Sequence, residues 1–548
     1  MSYHRFALRV ACMSSVIGLS ACRSTPIVTS TAAAPPPIIV NPGDWPGYNR
    51  TLAGDRYSPL AEINAANVAG LRAICTYTLP EVTSLQTGPI VVNGTMFFTT
   101  DTISYAIDAS SCVEKWRTVR HSESPSALGV NRGFAYMDGR LFRGTSDVHA
   151  IALDAADGHV VWDRVLDVKG PGVSVPMAPI AANGLVYIGN AGGDIAAITG
   201  HVYALDARDG HVVWKFDVVP SGAARSTWPN IRLPVSGGAF WTSFTLDAPN
   251  AILYVPAGNP APDFDVELRK GDNLYSNSVI ALSSNSGRLL AWNQLVKHDA
   301  HDWDVDSPPA LVTTRSGRAI VASANKDGLL SILDRSKVTH GPSDPATTLQ
   351  LISQTATTTR LNADVPLSRD HATRFCPGIQ GGNEWNGAAY SPQTNSLYVG
   401  AVDWCANVQL KRDTMNIPMP GAGYWFGAET PQMQIQAPPN TARGWLTSFD
   451  AENGSVRWRY QAPHPMLAAV TPTAGGVVFA ADMGGQVYAF DASSGRVLWQ
   501  TNSGQSTGGG IVTYVAGGRQ LVGVASGMKS PIWPGAGTQS RILVLGLR

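Results

Sequence analysis

The chain has 548 residues, 44% of them apolar and 15% charged, which is enough for a large buried core. Its 55 Gly and 37 Pro together exceed its 40 Lys and Arg, a balance that favours many turns over many long helices. Acidic and basic residues number 40 each, so the formal net charge is +0 and electrostatic recruitment to nucleic acid or to an anionic membrane surface is excluded.

The first element in chain order is an export signal. His4, Arg5 and Arg9 precede an apolar run from Val10 to Leu19, too short to span a bilayer as a helix. The run ends in Leu19-Ser20-Ala21-Cys22, which resembles a bacterial lipobox. That resemblance implies cleavage before Cys22 and acylation of its thiol, against the plainer alternative of an ordinary signal peptide. Residues 1–22 are thus read as signal and lipobox, and 23–43, rich in Ser, Thr, Ala and Pro, as a flexible tether. One lipidated Cys attaches a domain to a membrane without crossing it. The expected location is the periplasm, anchored to the outer or the inner membrane. Residues 44–548 are read as a single domain.

Four cysteines follow: Cys75, Cys112, Cys376 and Cys405. An even number in an exported chain points to disulfides, with three connectivities open; pairing neighbours keeps each loop local. No Cys-x-x-Cys-His occurs, so no c-type haem is attached to this chain.

One phrase then recurs along the chain: a short apolar strand, Asp, a turn with Gly, and a second strand carrying Trp. It reads Ala150-Ile-Ala-Leu-Asp154 to Gly158 and Trp162, then Val202-Tyr-Ala-Leu-Asp206 to Gly210 and Trp214. It returns at Asp450, Gly454 and Trp458, and at Asp491, Gly495 and Trp499. Weaker copies lie at Asp108 with Trp116, at Leu282 to Trp292, and at Leu329 to Asp334. The chemistry is that of a hairpin: Asp caps its own backbone, Gly takes the positive-φ position, and apolar alternation half-buries each arm. A preceding strand pair, as at Gly88 to Phe98, brings each unit to about four strands, the size of a propeller blade.

Seven phrases, plus a blade at Asn395 to Gly400 whose second half a long loop replaces, predict an all-β fold, an eight-bladed β-propeller, with seven blades as the alternative. The last strand, Ile542-Leu-Val-Leu, has no Trp strand after it and needs one from the start of the chain to close the ring. Long insertions at Asn259–Asn273 and Thr339–Gly382 are expected on one face, building the site.

Particular motifs resemble the quinoprotein alcohol dehydrogenases that use pyrroloquinoline quinone (PQQ). They are Asp44-Trp-Pro-Gly-Tyr-Asn-Arg50, Arg56-Tyr-Ser-Pro-Leu60, Gly258-Asn259-Pro260, Gly271-Asp-Asn-Leu-Tyr275 and Asp302-Trp303-Asp304. The likeness runs from about Asp44 to the C-terminus, and the Trp-Asn-Gly run at Trp385 and Asp403-Trp-Cys405 are nearer the polyvinyl-alcohol dehydrogenase branch. It implies oxidation of an alcohol with PQQ and a metal ion, calcium or a lanthanide, and electron transfer to a separate carrier such as a cytochrome c. It further implies Trp241 as the floor under the cofactor, and Asp194, Asn259, Asp304 and Asp306 at the metal. Asp304 would serve as general base, taking the alcohol's hydroxyl proton. Arg132 would pair with a cofactor carboxylate and Lys326 with its carbonyl oxygens. Asn386 would bond a ring carbonyl, and Trp533 would cap the cofactor.

The departures concern cofactor contacts. Ser126-Ala127 stand where many relatives have adjacent cysteines, Gln86 replaces a Glu, Pro176 a Thr, and Asp194 is a shorter carboxylate than the family's Glu. Two other readings compete. A non-enzymatic outer-membrane assembly scaffold also joins a lipobox to an eight-bladed propeller, but needs no long insertions. A zinc site at His298-Asp299-Ala-His301-Asp302 rests on two imidazoles three residues apart in a loop.

Overall fold

The recurring phrase folds as its residues dictate. In the second copy of the strong pattern, the Asp206 carboxylate accepts the Arg208 N–H (2.8 Å) and the Asp206 carbonyl accepts the Gly210 N–H (2.8 Å), closing a tight turn. The strands His201–Asp206 and Val212–Asp217 then pair antiparallel, with Ala204 opposite Trp214. Their burial departs from the expected alternation. The first arm is buried on both faces, whereas the second buries only Trp214 fully. The inner strands of a blade are covered by sheets on either side, while the outermost strand meets solvent and touches its neighbour through one large ring.

That ring explains the phrase. The indole N–H of Trp162 donates to the Ala207 carbonyl of the following blade (3.1 Å), and Trp116, Trp214 and Trp458 donate to Ala155, Ser284 and Ala492 in the same way. The Gly of each following turn lies under the preceding ring: a Cβ on Gly210 (φ +77°) would stand 2.7 Å from Trp162 and 2.6 Å from Arg164 Cγ. Gly is therefore required twice there, by backbone conformation and by close approach. Gly210→Ala should cost about 2–4 kcal/mol in urea unfolding, combining left-handed strain with overpacking. Gly184→Ala, at φ +79° with open space around it, should cost about 1–2 kcal/mol, the conformational part alone.

The structure, a computed structural model, describes residues 41–548 except 123–127, 168–169, 171, 230–232, 341–348, 415–416, 420–422, 536 and 548. The export signal, Cys22 and most of the tether lie outside the described residues, as do Ser126 and Ala127. Among the described residues no helix is long and apolar enough to cross a membrane.

Eight four-stranded antiparallel sheets form the propeller. Their first strands begin at Ile90, Ala135, Ile180, Thr245, Ala310, Ala389 and Thr471, and the eighth sheet closes the ring. It combines Ile511–Ala516, Arg519–Ser526 and Arg541–Gly546 with Arg72–Thr78, which pairs antiparallel to the last of these, Arg72 opposite Gly546. The count of eight stands, but one assignment changes. The strand Ser396–Asp403 does not belong to a blade of its own. It pairs with Arg443–Asp450, so the phrase at Asp450 and Trp458 is its other half, and residues 404–442 are inserted between. The eighth blade is the closing one.

Within a blade the strands alternate in direction, so connections from second to third strand and from blade to blade share one face. Most long segments are of these two kinds: 190–200, 258–277, 295–309, 357–388, 404–442 and 527–540. The expected insertion Thr339–Gly382 is divided instead: the strand Gln350–Ala356 within it is the fourth of its blade, and the connection before that strand, from third to fourth, opens on the opposite face. Two disulfides, Cys75–Cys112 and Cys376–Cys405, are the neighbour pairings. The first ties the closing strand to the Asp108–Glu114 turn of the first blade. The second binds the 357–388 and 404–442 segments, beside a two-stranded sheet of Thr373–Phe375 with Ala406–Val408.

Candidate functional site

The crowded face encloses a cavity of about 680 Å³ at the propeller axis, lined by connections within blades and by connections between them. Arg132, Asp194, Trp241, Asn259, Asp304, Lys326 and Trp533 all line it. They come from distant parts of the sequence because each sits on a connection that ends at the axis.

Asp304 is the most constrained of them. Its Oδ1 accepts the Asn259 backbone N–H (2.8 Å) and its Oδ2 the Lys326 ammonium (2.9 Å). Lys326 also lies 3.3 Å from Asp302 Oδ2. Burial opposes the Lys326 charge, but Asp302 and Asp304 outweigh it and hold the ammonium well above its ordinary range. Each carboxylate oxygen of Asp304 keeps a free lone pair, so a fixed side chain faces the cavity with acceptor capacity to spare.

The metal-ligand expectation divides. Asp194 and Asn259 approach each other beside Asp304, and Asp194 is raised to about 6, first by burial and then by the Asp304 charge. Asp306 is buried behind the cavity wall, with neither carboxylate oxygen hydrogen-bonded. Burial, then Glu384 and Asp304, raise it well above the carboxylate range. Two carboxylates outside the expected set come forward instead: oxygens of Asp194, Asp263 and Asp302 all lie within 4.8 Å of one another. Asp302 gets there through left-handed backbone (φ +61°), which no alternation pattern anticipates.

The cofactor-side residues form a second group. The Arg132 guanidinium lies 4.8 Å from the Trp241 ring centre and 4.9 Å from that of Trp385, donating to Gln86 Oε1 (2.9 Å) and the Trp241 carbonyl (3.1 Å). Burial lowers it to about 10, so it remains a cation, and its Nε is buried without a partner. Gln86 thus serves as a neutral brace for Arg132. Pro176 accepts the Arg132 backbone N–H (2.8 Å), a role that needs no side-chain hydroxyl. Trp533 packs edge-on against Trp385 at 5.9 Å, and Trp404 extends the aromatic wall.

Asn386 does not reach the cavity. Its amide donates to the Leu467 carbonyl (2.7 Å) and accepts from the Tyr48 hydroxyl (2.9 Å), so both ends are taken. Its neighbours Glu384 and Trp385 line the wall instead. Glu384 is raised to about 8, chiefly by burial, and holds its proton at neutral pH. The Glu384-Trp385 dipeptide before Asn386 was the available signal for both.

The two histidines of the zinc alternative do not converge. His298 is exposed and 3.6 Å from Asp272. His301 stacks on Trp303 at 4.1 Å with its Nε2 unpartnered. Burial lowers His301 to about 4, so between roughly pH 4 and 6.5 only the unfolded chain binds this proton. Stability from this group is present above 6.5 and is lost on acidification, by about 3 kcal/mol at pH 4. The raised carboxylates act in the opposite sense, so the difference between wild type and His301→Phe isolates it. The variant's urea midpoint should fall less than the wild type's as pH is lowered from 6.5 to 4.

An anionic, planar, carbonyl-bearing group with an oxygen-loving cation fits these residues. Arg132 and Lys326 offer buried positive charge, and the orphaned Arg132 Nε and Asp263 Oδ2 are an unused donor and an unused acceptor.

Comparison with known proteins gives the same direction. The family model described as glucose/ethanol/alcohol dehydrogenase, β-propeller domain (PQQ) matches residues 45–339, and that of outer membrane protein assembly factor BamB matches 441–529. The chain is 27% identical to quinoprotein alcohol dehydrogenase PedH of Pseudomonas putida, over 88% of this chain and 86% of that one. It is 26% identical to lanthanide-dependent methanol dehydrogenase of Methylacidiphilum fumariolicum, over 89% and 85%. The crystal structure of quinohemoprotein alcohol dehydrogenase from Comamonas testosteroni superposes with a TM-score of 0.80 at 25% identity, covering 92% of this chain and 80% of that one.

Proposed function

This chain belongs to the PQQ family of glucose/ethanol/alcohol dehydrogenase β-propellers and is a quinoprotein oxidoreductase, and from that premise we propose how its cavity works. It oxidises an alcohol to an aldehyde or ketone. Arg132 and Lys326 hold the anionic quinone, Trp241 supports its plane, and Asp194, Asn259 and Asp304 face the cation. Bound there, PQQ supplies a two-electron acceptor for the hydride leaving the alcohol carbon, and calcium or a lanthanide ion supplies Lewis acidity.

The protein's own part is the proton. The carrying observation is the Asp304 carboxylate, fixed between the Asn259 N–H and the Lys326 ammonium, with lone pairs open to the cavity. It takes the hydroxyl proton, while Glu384, already protonated at neutral pH, is no competing base. The Trp385, Trp404 and Trp533 wall excludes water and receives the alcohol's hydrocarbon part. Electrons leave to a separate carrier, such as a cytochrome c. Export, and anchoring through Cys22, complete the reading and rest on the N-terminal sequence.

Purified protein given PQQ with calcium or lanthanum should acquire the quinone's absorbance and reduce a dye with alcohols. Absence of quinone binding with every metal would overturn the reading and leave a non-enzymatic assembly scaffold.

A further inference from the structure

We propose that Asp263 and Asp302 are ligands of the cation together with Asp194, and that the site they form is built for a trivalent rather than a divalent ion. The inference rests on the reading that this cavity holds a hard cation, and it names the residues and the charge class.

Geometry comes first. Ligand oxygens on opposite sides of an ion with bonds of about 2.3–2.6 Å are about 4.6–5.2 Å apart. One oxygen each from Asp194, Asp263 and Asp302 falls within 4.8 Å of the other two, so a single ion can touch all three. The three residues come from different insertions, at 190–200, 258–277 and 295–309, which the fold brings to one point.

Asp263 supplies the independent sign of a missing partner. Its side chain is fully buried, and one oxygen accepts the Asn259 amide (3.1 Å). The other, Oδ2, has no hydrogen-bond partner. Arg269, the nearby cation, does not serve it: the guanidinium is spent on the carbonyls of Pro262, Asp263 and Asp299. A buried carboxylate oxygen with nothing to bond costs more than a backbone carbonyl in the same state, and a cation removes that cost.

Charge then decides the class of ion. Asp194, Asp263 and Asp302 surround the point, and the charge of Asp304 acts on all three. Among the described residues the salt bridges to this group come from Lys326 alone, at 2.9 Å to Asp304 and 3.3 Å to Asp302. The neighbouring Arg269 guanidinium is set first against Asp299, so four carboxylates facing one ammonium leave three negative charges when all are ionised. A lanthanide-class ion balances that number, and calcium leaves one charge over. All the offered atoms are oxygens, which suits either ion in kind, so count of charge and not ligand type makes the selection.

The test uses full-chain protein, washed with chelator and free of quinone, titrated with terbium and followed by its luminescence. One tight site per chain is expected, with calcium competing only at much higher concentration. Asp263→Asn and Asp302→Asn should each weaken terbium binding by roughly 10–100-fold, and luminescence lifetimes in light and heavy water should count an added inner-sphere water. Asp157→Asn, in the exposed Asp154, Asp157 and His159 group, should leave binding unchanged. Asp263→Asn neutralises a buried carboxylate that has no salt bridge, so its metal-free melting should stand at or above wild type, while the rise in melting on adding terbium is lost. Should Asp263→Asn fail to fold, Asp302→Asn reads the same site. Wild-type terbium affinity in both variants would overturn the ligand assignment, and calcium competing at equal concentration would overturn the charge class. Neither readout needs quinone or turnover, so failure here is distinct from failure of the dehydrogenase reading.

Discussion

Asp304→Asn should lower kcat by roughly 10²–10⁴-fold, the usual contribution of a positioned general base. The substitution preserves shape, so quinone binding and folding should survive it. What it removes is the anion: a carboxamide has one accepting oxygen, whereas the wild-type side chain accepts from Asn259 and Lys326 on separate oxygens. The amide oxygen will turn to one of these donors, leaving an N–H₂ group against the other and no basic atom toward the alcohol. Steady-state kinetics with a dye acceptor, run beside a quinone absorbance titration, separates these effects. A variant that binds quinone and turns over within about tenfold of wild type would remove Asp304 from the role of base. Glu384→Gln is the informative companion. Because Glu384 is already neutral at pH 7, its amide should alter kcat little there and more above about pH 8, where the wild-type group ionises.

Lys326→Met should destabilise the metal-free protein by about 3–5 kcal/mol at neutral pH, since it strands Asp302 and Asp304 without their buried counter-charge. The deficit should shrink on acidification. Burial holds Asp302 well above the ordinary carboxylate range, so the folded state takes up its proton before the unfolded chain does, and acid favours the fold at this site. Urea unfolding of variant and wild type between pH 5 and 8 measures the trend. A deficit that is constant across that range would mean that lost packing of the lysine stem, and not stranded charge, is the cause.

The propeller was legible because its signal is local. Asp, Gly and Trp at fixed offsets encode a turn, a close approach and an inter-blade contact, and each repeats with its own blade. The pattern failed where its parts are separated: residues 404–442 divide one blade, and its halves read as two partial units. At Leu329–Asp334 the copy was weak because Ser353 stands opposite Ile332, where Trp162 stands opposite Ala152 three blades earlier. The site was half legible. Motif resemblance found Asp194, Asn259, Asp304 and Lys326, which do meet. It could not find Asp263, whose meaning depends on Asp194 lying beside it, 69 positions away in sequence. Nor could spacing place Asp302, Asp304 and Asp306. Two-residue steps put side chains on one side of an extended run, but the left-handed backbone at Asp302 breaks the run.

The seam of the ring has a consequence for the order of assembly. The strand Arg72–Thr78 is made early, yet its pairing partner Arg541–Gly546 is the last strand of the chain. Through nearly the whole of synthesis it is an unmatched edge, and an unmatched edge invites the wrong partner. Cys75–Cys112 answers this by fastening that strand to the first blade, a pairing both of whose cysteines emerge early. The strand then waits as part of a fixed platform, and the arriving C-terminus has a prepared landing place rather than a loose tail to find. A chain cut short before Arg541 would keep the platform and lose what lands on it, leaving a vacancy that the final strand of another copy is shaped to fill.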